Sequence, residues 1–141
     1  MSVAAILAPV FVLVGLTFAL LFLTGRSRFA AIRAGEVRVG DVALGQRAWP
    51  KQVTQISNTY QNQFELPVLF YVLTALALFT RQADLVFVVM AWLFVASRFV
   101  HAYVYVTTNR IRHRFTAFLV GVAILMLMWI VFAVRILVLS A

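Results

Sequence analysis

Two short sets of polar residues stand where the surrounding sequence is apolar. Asn58, Asn62 and Glu65 follow one another at i, i+4 and i+7, and Arg98, His101 and Tyr105 at i, i+3 and i+7. Either spacing gathers its residues on a single helix face. Arg110, Arg112 and Arg114 follow the second set closely. Together they offer more hydrogen-bond donors than the one carboxylate, Glu65, can use. Such a surplus suits an anionic, polar ligand with several carboxylates, and a tyrosine hydroxyl or an arginine beside a thiol could stabilise its thiolate. A plainer reading also stands: Glu65 and Arg98 form a structural ion pair, Asn62 links helices by hydrogen bonding, and His101 is a satisfied buried histidine. The chain has no cysteine, which excludes disulfides, thiolate metal sites and a cysteine nucleophile. No metal is expected.

The elements that must position these residues are membrane helices. Of the 141 residues, 65% are hydrophobic and 11% charged, with a mean hydropathy of +1.02. Soluble domains are about 45–50% apolar and about 25% charged, so a water-exposed globule is excluded. A span needs about 20 apolar residues. Residues 4–23 form one uncharged run of that length, and a second starts at Phe115. No charge precedes the first run, and Arg26, Arg28 and Arg33 follow it, the reverse of a cleaved signal peptide. The middle runs, 66–80 and 85–97, are too short to span unless their polar neighbours enter the membrane with them. Backbone left unpaired at membrane depth is costly, which favours two full spans over a re-entrant hairpin. The expected spans are therefore about 4–23, 58–80, 85–107 and 115–138, in a single membrane domain covering 1–141. Residues 24–57 form the one long connection, broken by Gly25, Gly35, Gly40 and Gly45, and Trp49-Pro50 suits a helix start. Arg135, near the far end of the last span, is expected to snorkel.

Charge sets the orientation. The net charge of +8 comes from 12 Lys and Arg against 4 Asp and Glu. Arg26, Arg28, Arg33, Arg38, Arg47, Lys51, Arg110, Arg112 and Arg114 all fall on one side, against Arg81 alone in the loop on the other. The positive-inside rule makes loops 24–57 and 107–114 cytoplasmic and puts both termini outside. These residues flank helix ends and do not alternate with stacking aromatics, so no nucleic-acid partner is implied. At about 1.5 Å per residue, Glu65 lies roughly 8–10 Å below the cytoplasmic boundary, His101 roughly 9 Å and Arg98 roughly 14 Å. An unpaired charge at mid-span costs about 2.5–3.5 kcal/mol. The two polar faces, at matched depth on antiparallel neighbours, should therefore face each other or share a cavity.

Asn62-Gln-Phe-Glu65-Leu-Pro67 resembles the N-x-x-E-x-P region of the MAPEG family, the membrane-associated proteins in eicosanoid and glutathione metabolism. Arg98-x-x-His101-x-x-x-Tyr105 is similar to that family's third-helix motif, which Arg110 and Arg114 continue. The long first loop, with Arg28-Phe-Ala-Ala-Ile-Arg33-Ala-Gly-Glu36, looks most like a bacterial branch of the family. The resemblance implies an all-α, integral membrane four-helix bundle that assembles as a homotrimer, in the bacterial inner membrane. It also implies glutathione as co-substrate, bound in cytoplasmic clefts between subunits. Asn62, Glu65, His101 and Tyr105 match positions lining that site, and Glu65 and Arg98 match a structural ion pair. Arg114 matches an arginine that activates the thiol, with Tyr105 beside it. Arg26, or Arg28, matches a first-helix arginine, and Arg110 lies with the binding residues. The expected activity is that of a transferase or peroxidase acting on a hydrophobic small molecule or lipid peroxide. The sequence departs from the enzymes at Asn58 and Gln61, where they carry arginines, and at Phe115 and Phe118, where they carry hydroxyl residues. Those departures support an alternative: a non-catalytic protein of the same fold that binds a lipid or amphiphile, or serves as an accessory subunit. A transporter has less support, because there is no inverted repeat.

Overall fold

A computed structural model describes residues 1–44 and 48–139; Gly45 and Arg47, part of the expected first loop, lie outside the described residues. The described chain is an all-α bundle without strands. Helix α1 runs over Val3–Arg33, a short α2 over Val39–Val42, and α3 over Lys51–Gln61. A single 3-10 turn, Asn62–Phe64, joins α3 to α4 (Leu66–Phe79). Helices α5 (Leu85–Val106) and α6 (Ile111–Val134) complete the bundle, and a π-helical turn, Arg135–Leu139, extends α6. Four segments are long and apolar enough to cross a membrane: Val3–Arg33, Lys51–Phe79, Leu85–Val106 and Ile111–Leu139.

The core is a belt of apolar side chains drawn from all four segments, among them Leu13, Phe70, Leu73, Ala91, Phe94, Leu125 and Met128. The Phe70 and Phe94 rings meet at 4.9 Å between centroids, within the range where aromatic pairs add to simple burial. Phe11, Phe18, Phe22, Leu69, Phe79, Leu93 and Ile130 are exposed. In water that surface would drive aggregation; in an integral membrane protein it is the lipid-facing side.

Two connections are shorter than the sequence suggests. Helix α1 continues past its apolar run to Arg33, and α3 begins at Lys51, directly after the helix start expected at Trp49-Pro50, so residues 24–33 and 51–57 of the connection 24–57 are helical. The last loop closes early too, because α6 starts at Ile111, inside the expected 107–114. Arginine is a good helix former, and a polar helix that leaves the bilayer costs no buried backbone. Hydropathy marks only where the membrane ends.

The second span is interrupted. Pro67 has no N–H to donate, and its ring would collide with the carbonyl four residues earlier. The chain responds with the 3-10 turn, closed by Glu65 N–H to the Asn62 carbonyl at 3.3 Å, and α4 restarts with Val68 N–H on the Glu65 carbonyl at 3.2 Å. Glu65 itself is non-helical, at φ −100° and ψ −107°.

At the opposite end, Asp84 caps α5 by accepting from Phe87 N–H at 2.9 Å. It also pairs with Arg135 at 2.7 Å, and Arg135 donates to the Gln82 carbonyl at 3.2 Å. Arg135, expected only to snorkel, therefore also ties α6 to the α4–α5 turn. The Arg135 hydrogen bond holds the Asp84 carboxyl below its ordinary value, against a smaller opposing effect of burial. A depressed native pKa contributes stability above the unfolded value, and the contribution is lost as pH falls through the native one. Thermal unfolding in detergent between about pH 6 and about pH 3 is expected to show a steeper acid loss for the native protein than for Asp84→Asn. Asp84→Ala, which also removes the cap, is expected to cost about 1 kcal/mol more than Asp84→Asn at neutral pH.

Candidate functional site

The end of the bundle that carries Arg26, Arg28, Arg33, Arg110, Arg112 and Arg114 holds the polar residues singled out by the sequence. Its innermost member is Arg98 on α5, only 1% exposed. Gly121 on α6 makes room for it: a Cβ there would stand 3.0 Å from Ser97 Oγ and 3.4 Å from Arg98 Nη1. Arg98 Nη2 lies 2.8 Å from His101 Nδ1, one helical turn along. Nε and Nη1 of Arg98 are enclosed and have no partner within the protomer.

From there the groups form a ladder toward the basic end. The His101 ring meets Tyr105 edge-on at 5.9 Å and Phe118 at 6.2 Å. The Arg114 guanidinium lies over the Tyr105 ring, 4.4 Å from its centroid, a cation–π contact that strengthens where water is excluded. Arg114 Nη1 also donates to Asn109 Oδ1 at 2.7 Å. Asn109 sits in the left-handed region, φ 48°, which asparagine tolerates better than most residues. The turn before α6 thus presents a fixed acceptor that aims Arg114. Helix α3 braces the same layer, with Gln55 Nε2 donating to the Tyr105 carbonyl at 3.2 Å. Arg28 donates to Ser57 Oγ and lies 5.2 Å over the Trp49 ring.

The structure therefore brings together Arg98, His101, Tyr105 and Arg114. It makes no direct salt bridge between Glu65 and Arg98, although the Glu65 charge reaches Arg98 from a distance. Among the described residues the ion pair within 4.0 Å is Arg135–Asp84, and Glu65 is exposed on the protomer surface. The expected Glu65–Arg98 pairing is thus a longer-range electrostatic interaction within the protomer, not a contact pair. The i, i+4, i+7 spacing assumes a continuous helix, and the turn before Pro67 breaks it. Asn62 is half-buried at that turn, Asn58 and Gln61 are exposed, and Arg110 is exposed at the start of α6. Arg26 is exposed in a separate groove of about 430 Å³ between α1 and α3, shared with Ser27, Glu36 and Gln52. The buried polar residues of the second span include Thr59 and Gln63, one position on from Asn58 and Asn62 and almost fully enclosed, besides Ser57 and Thr74. Gln63 Nε2 donates to the Thr59 carbonyl at 3.1 Å. The same helical spacing would have marked them, had the face been shifted by one residue. Asn109 carried no sequence signal, and the contacts of Gln55 and Arg28 could not be read from it, because their partners come from other elements. Among the described residues no three His, Cys, Asp or Glu side chains cluster to hold a metal.

Comparison with known proteins finds a match to the family model described as the MAPEG family, over residues 6–134. No curated protein and no solved structure matches the chain.

The tight approach of α6 to Arg98 makes Gly121 a sensitive position. Gly121→Val is expected to destabilise the protein by about 1–3 kcal/mol, the usual cost of overpacking, read as a lower midpoint of thermal unfolding in detergent. Gly121→Ala should cost less, since only the Ser97 hydroxyl and the end of the Arg98 side chain need to shift.

Proposed function

The chain belongs to the MAPEG family of membrane proteins, and from that premise we propose that it is a glutathione-dependent transferase or peroxidase. The hydrophobic electrophile or lipid peroxide would enter from the bilayer. The observation that carries this reading is Arg114, held between the Tyr105 ring and the Asn109 side chain at the basic end of the bundle. A guanidinium fixed in this way stabilises a thiolate without reorganising at the moment of reaction. Loss of the thiol proton to water leaves a sulfur nucleophile. With a carbon electrophile, a C–S bond forms as the leaving group departs or the adjacent double bond takes the electrons. With a peroxide, the O–O bond breaks to give an alcohol and a sulfenic acid, which a second thiol converts to disulfide and water. Tyr105 and His101 would orient the peptide, with Asn62, Glu65 and Arg110 contributing from the edges of the cleft and Arg26, in its separate groove, contributing only across a subunit boundary. An apolar groove of about 470 Å³ between α4 and α6, lined by residues including Leu66, Leu69, Met126 and Trp129, suits an apolar substrate.

The exposed Glu65 supports a further part of the reading. A carboxylate on the outside of a membrane-spanning segment is costly against lipid, and a neighbouring subunit of a homotrimer would cover it. The basic end is then cytoplasmic, with both termini outside, in a bacterial inner membrane. A second reading rests on different residues. Asn58 and Gln61 are exposed and neutral, and Phe118 packs on His101. These positions favour a lipid or amphiphile over a peptide with two carboxylates, in a non-catalytic protein or accessory subunit of the same fold.

Calorimetry with glutathione at millimolar concentration distinguishes the two. The enzymatic reading expects saturable binding, and a transferase or peroxidase rate that Arg114→Ala lowers by about 10²–10³-fold. No binding, together with an unchanged rate in Arg114→Ala, would leave the lipid-binding reading. Native mass spectrometry is expected to show a trimer that Glu65→Gln weakens; a trimer indifferent to that substitution would remove Glu65 from the interface.

A further inference from the structure

The Arg98–His101 contact fixes more than a packing arrangement. A guanidinium has five N–H donors and no acceptor. At 2.8 Å from Arg98 Nη2, His101 Nδ1 must therefore be the acceptor and carry no proton. A neutral imidazole with a bare Nδ1 carries its proton on Nε2. No described residue bonds Nε2, and it is absent from the enclosed unpaired atoms, although the residue as a whole is 3% exposed. The ring is held by Tyr105 on one side and Phe118 on another, so its orientation is fixed by packing as well as by Arg98.

We propose that Arg98 is a positioning residue that locks His101 as the Nε2–H tautomer, so that His101 presents a hydrogen-bond donor to the cleft and does not serve as a base. The group that His101 recognises is an acceptor: a carboxylate or amide carbonyl oxygen of the bound ligand. The direct hydrogen-bond partner of this buried cation is therefore an imidazole, while the Glu65 carboxylate acts on it only from beyond salt-bridge distance. Arg98 acts through its neighbour, and Gly121 supplies the space it needs. A base at this position would need a free ring nitrogen toward the ligand, and the one bare nitrogen is taken by Arg98. The tautomer assignment does not depend on glutathione being the ligand.

The chain has two histidines, and His113 is exposed on α6, so His113→Gln with ¹⁵N-labelled histidine leaves one imidazole to observe. Nitrogen NMR of that protein in lipid nanodiscs, near neutral pH, is expected to show a single form with Nδ1 unprotonated and Nε2 protonated. Arg98→Met should release it to a mixture of tautomers, and Arg98→Lys, which keeps a donor, should retain most of the Nε2–H form. An Nδ1–H or doubly protonated ring in the His113→Gln protein overturns the proposal, and that result needs no Arg98 variant to fold. An unchanged single tautomer in a folded Arg98→Met protein overturns it equally. Glutathione binding adds a readout on the ligand side. His101→Gln, which keeps an N–H donor, should bind within a few fold of the native protein, while His101→Phe should lose about tenfold or more. Equal binding by the two would overturn the assignment of a donor role. Failure of all variants and of the native protein to bind glutathione would count against the glutathione reading and leave the tautomer result standing.

Discussion

A guanidinium buried in an apolar bundle sets the terms for the basic end of this protein. Charges at membrane depth are tolerated where they find partners or a cavity, and in its own chain Arg98 has one hydrogen-bond partner, His101 Nδ1, with the Glu65 charge acting from further off. The surroundings accommodate the rest. Ser97 turns its hydroxyl to the Phe94 carbonyl, and Gly121 withholds a side chain that would collide. Helix α6 can then lie close to α5 at the level of the site. Phe118, one turn before Gly121, closes against His101, and Arg114, a turn further back, reaches the Tyr105 ring. One glycine thus places three α6 positions against three α5 positions, and the ladder from Arg98 to Arg114 follows from that packing.

The break in the second span complements this ladder. A continuous helix from Lys51 to Phe79 would point Glu65 along the same face as Asn58 and Asn62. Pro67 prevents it, and the 3-10 turn changes the helical phase so that Gln63 is enclosed while Glu65 stays exposed. Glu65 is exposed and Asn62 half-buried on the protomer surface beside the site. A cleft completed by a second copy would meet that geometry, and it would separate the donors of α5 and α6 from bulk water on binding.

Much of the fold was legible because the bilayer reduces the problem to length, hydropathy and charge. Four spans, the short turn at 81–84 and the basic end could all be read from runs of residues and the distribution of arginines. The helical start at Lys51 was legible too, from Trp49-Pro50, but the helical reach of Arg26–Arg33 was not, since hydropathy ends where the membrane ends. The site was legible in part. Arg98, His101 and Tyr105 lie on an uninterrupted helix, so their spacing survived in the structure. Asn58, Asn62 and Glu65 cross a proline-induced turn, so theirs did not. Asn109, Gln55 and Gly121 matter through neighbours on other elements, and no local pattern announces such contacts. Arg135 was read as a snorkelling residue because its partner, Asp84, is about fifty positions away.

The central claim is that the basic end, with Arg114 aimed by Tyr105 and Asn109, stabilises a thiolate. Difference absorption in the ultraviolet, recorded on mixing glutathione with the purified protein near neutral pH, measures that species without requiring a substrate. The account predicts a thiolate band that saturates with glutathione, reaches no more than one equivalent per protomer, and disappears in Arg114→Ala. Glutathione that binds with no thiolate band, or a band that persists unchanged in Arg114→Ala, would contradict it.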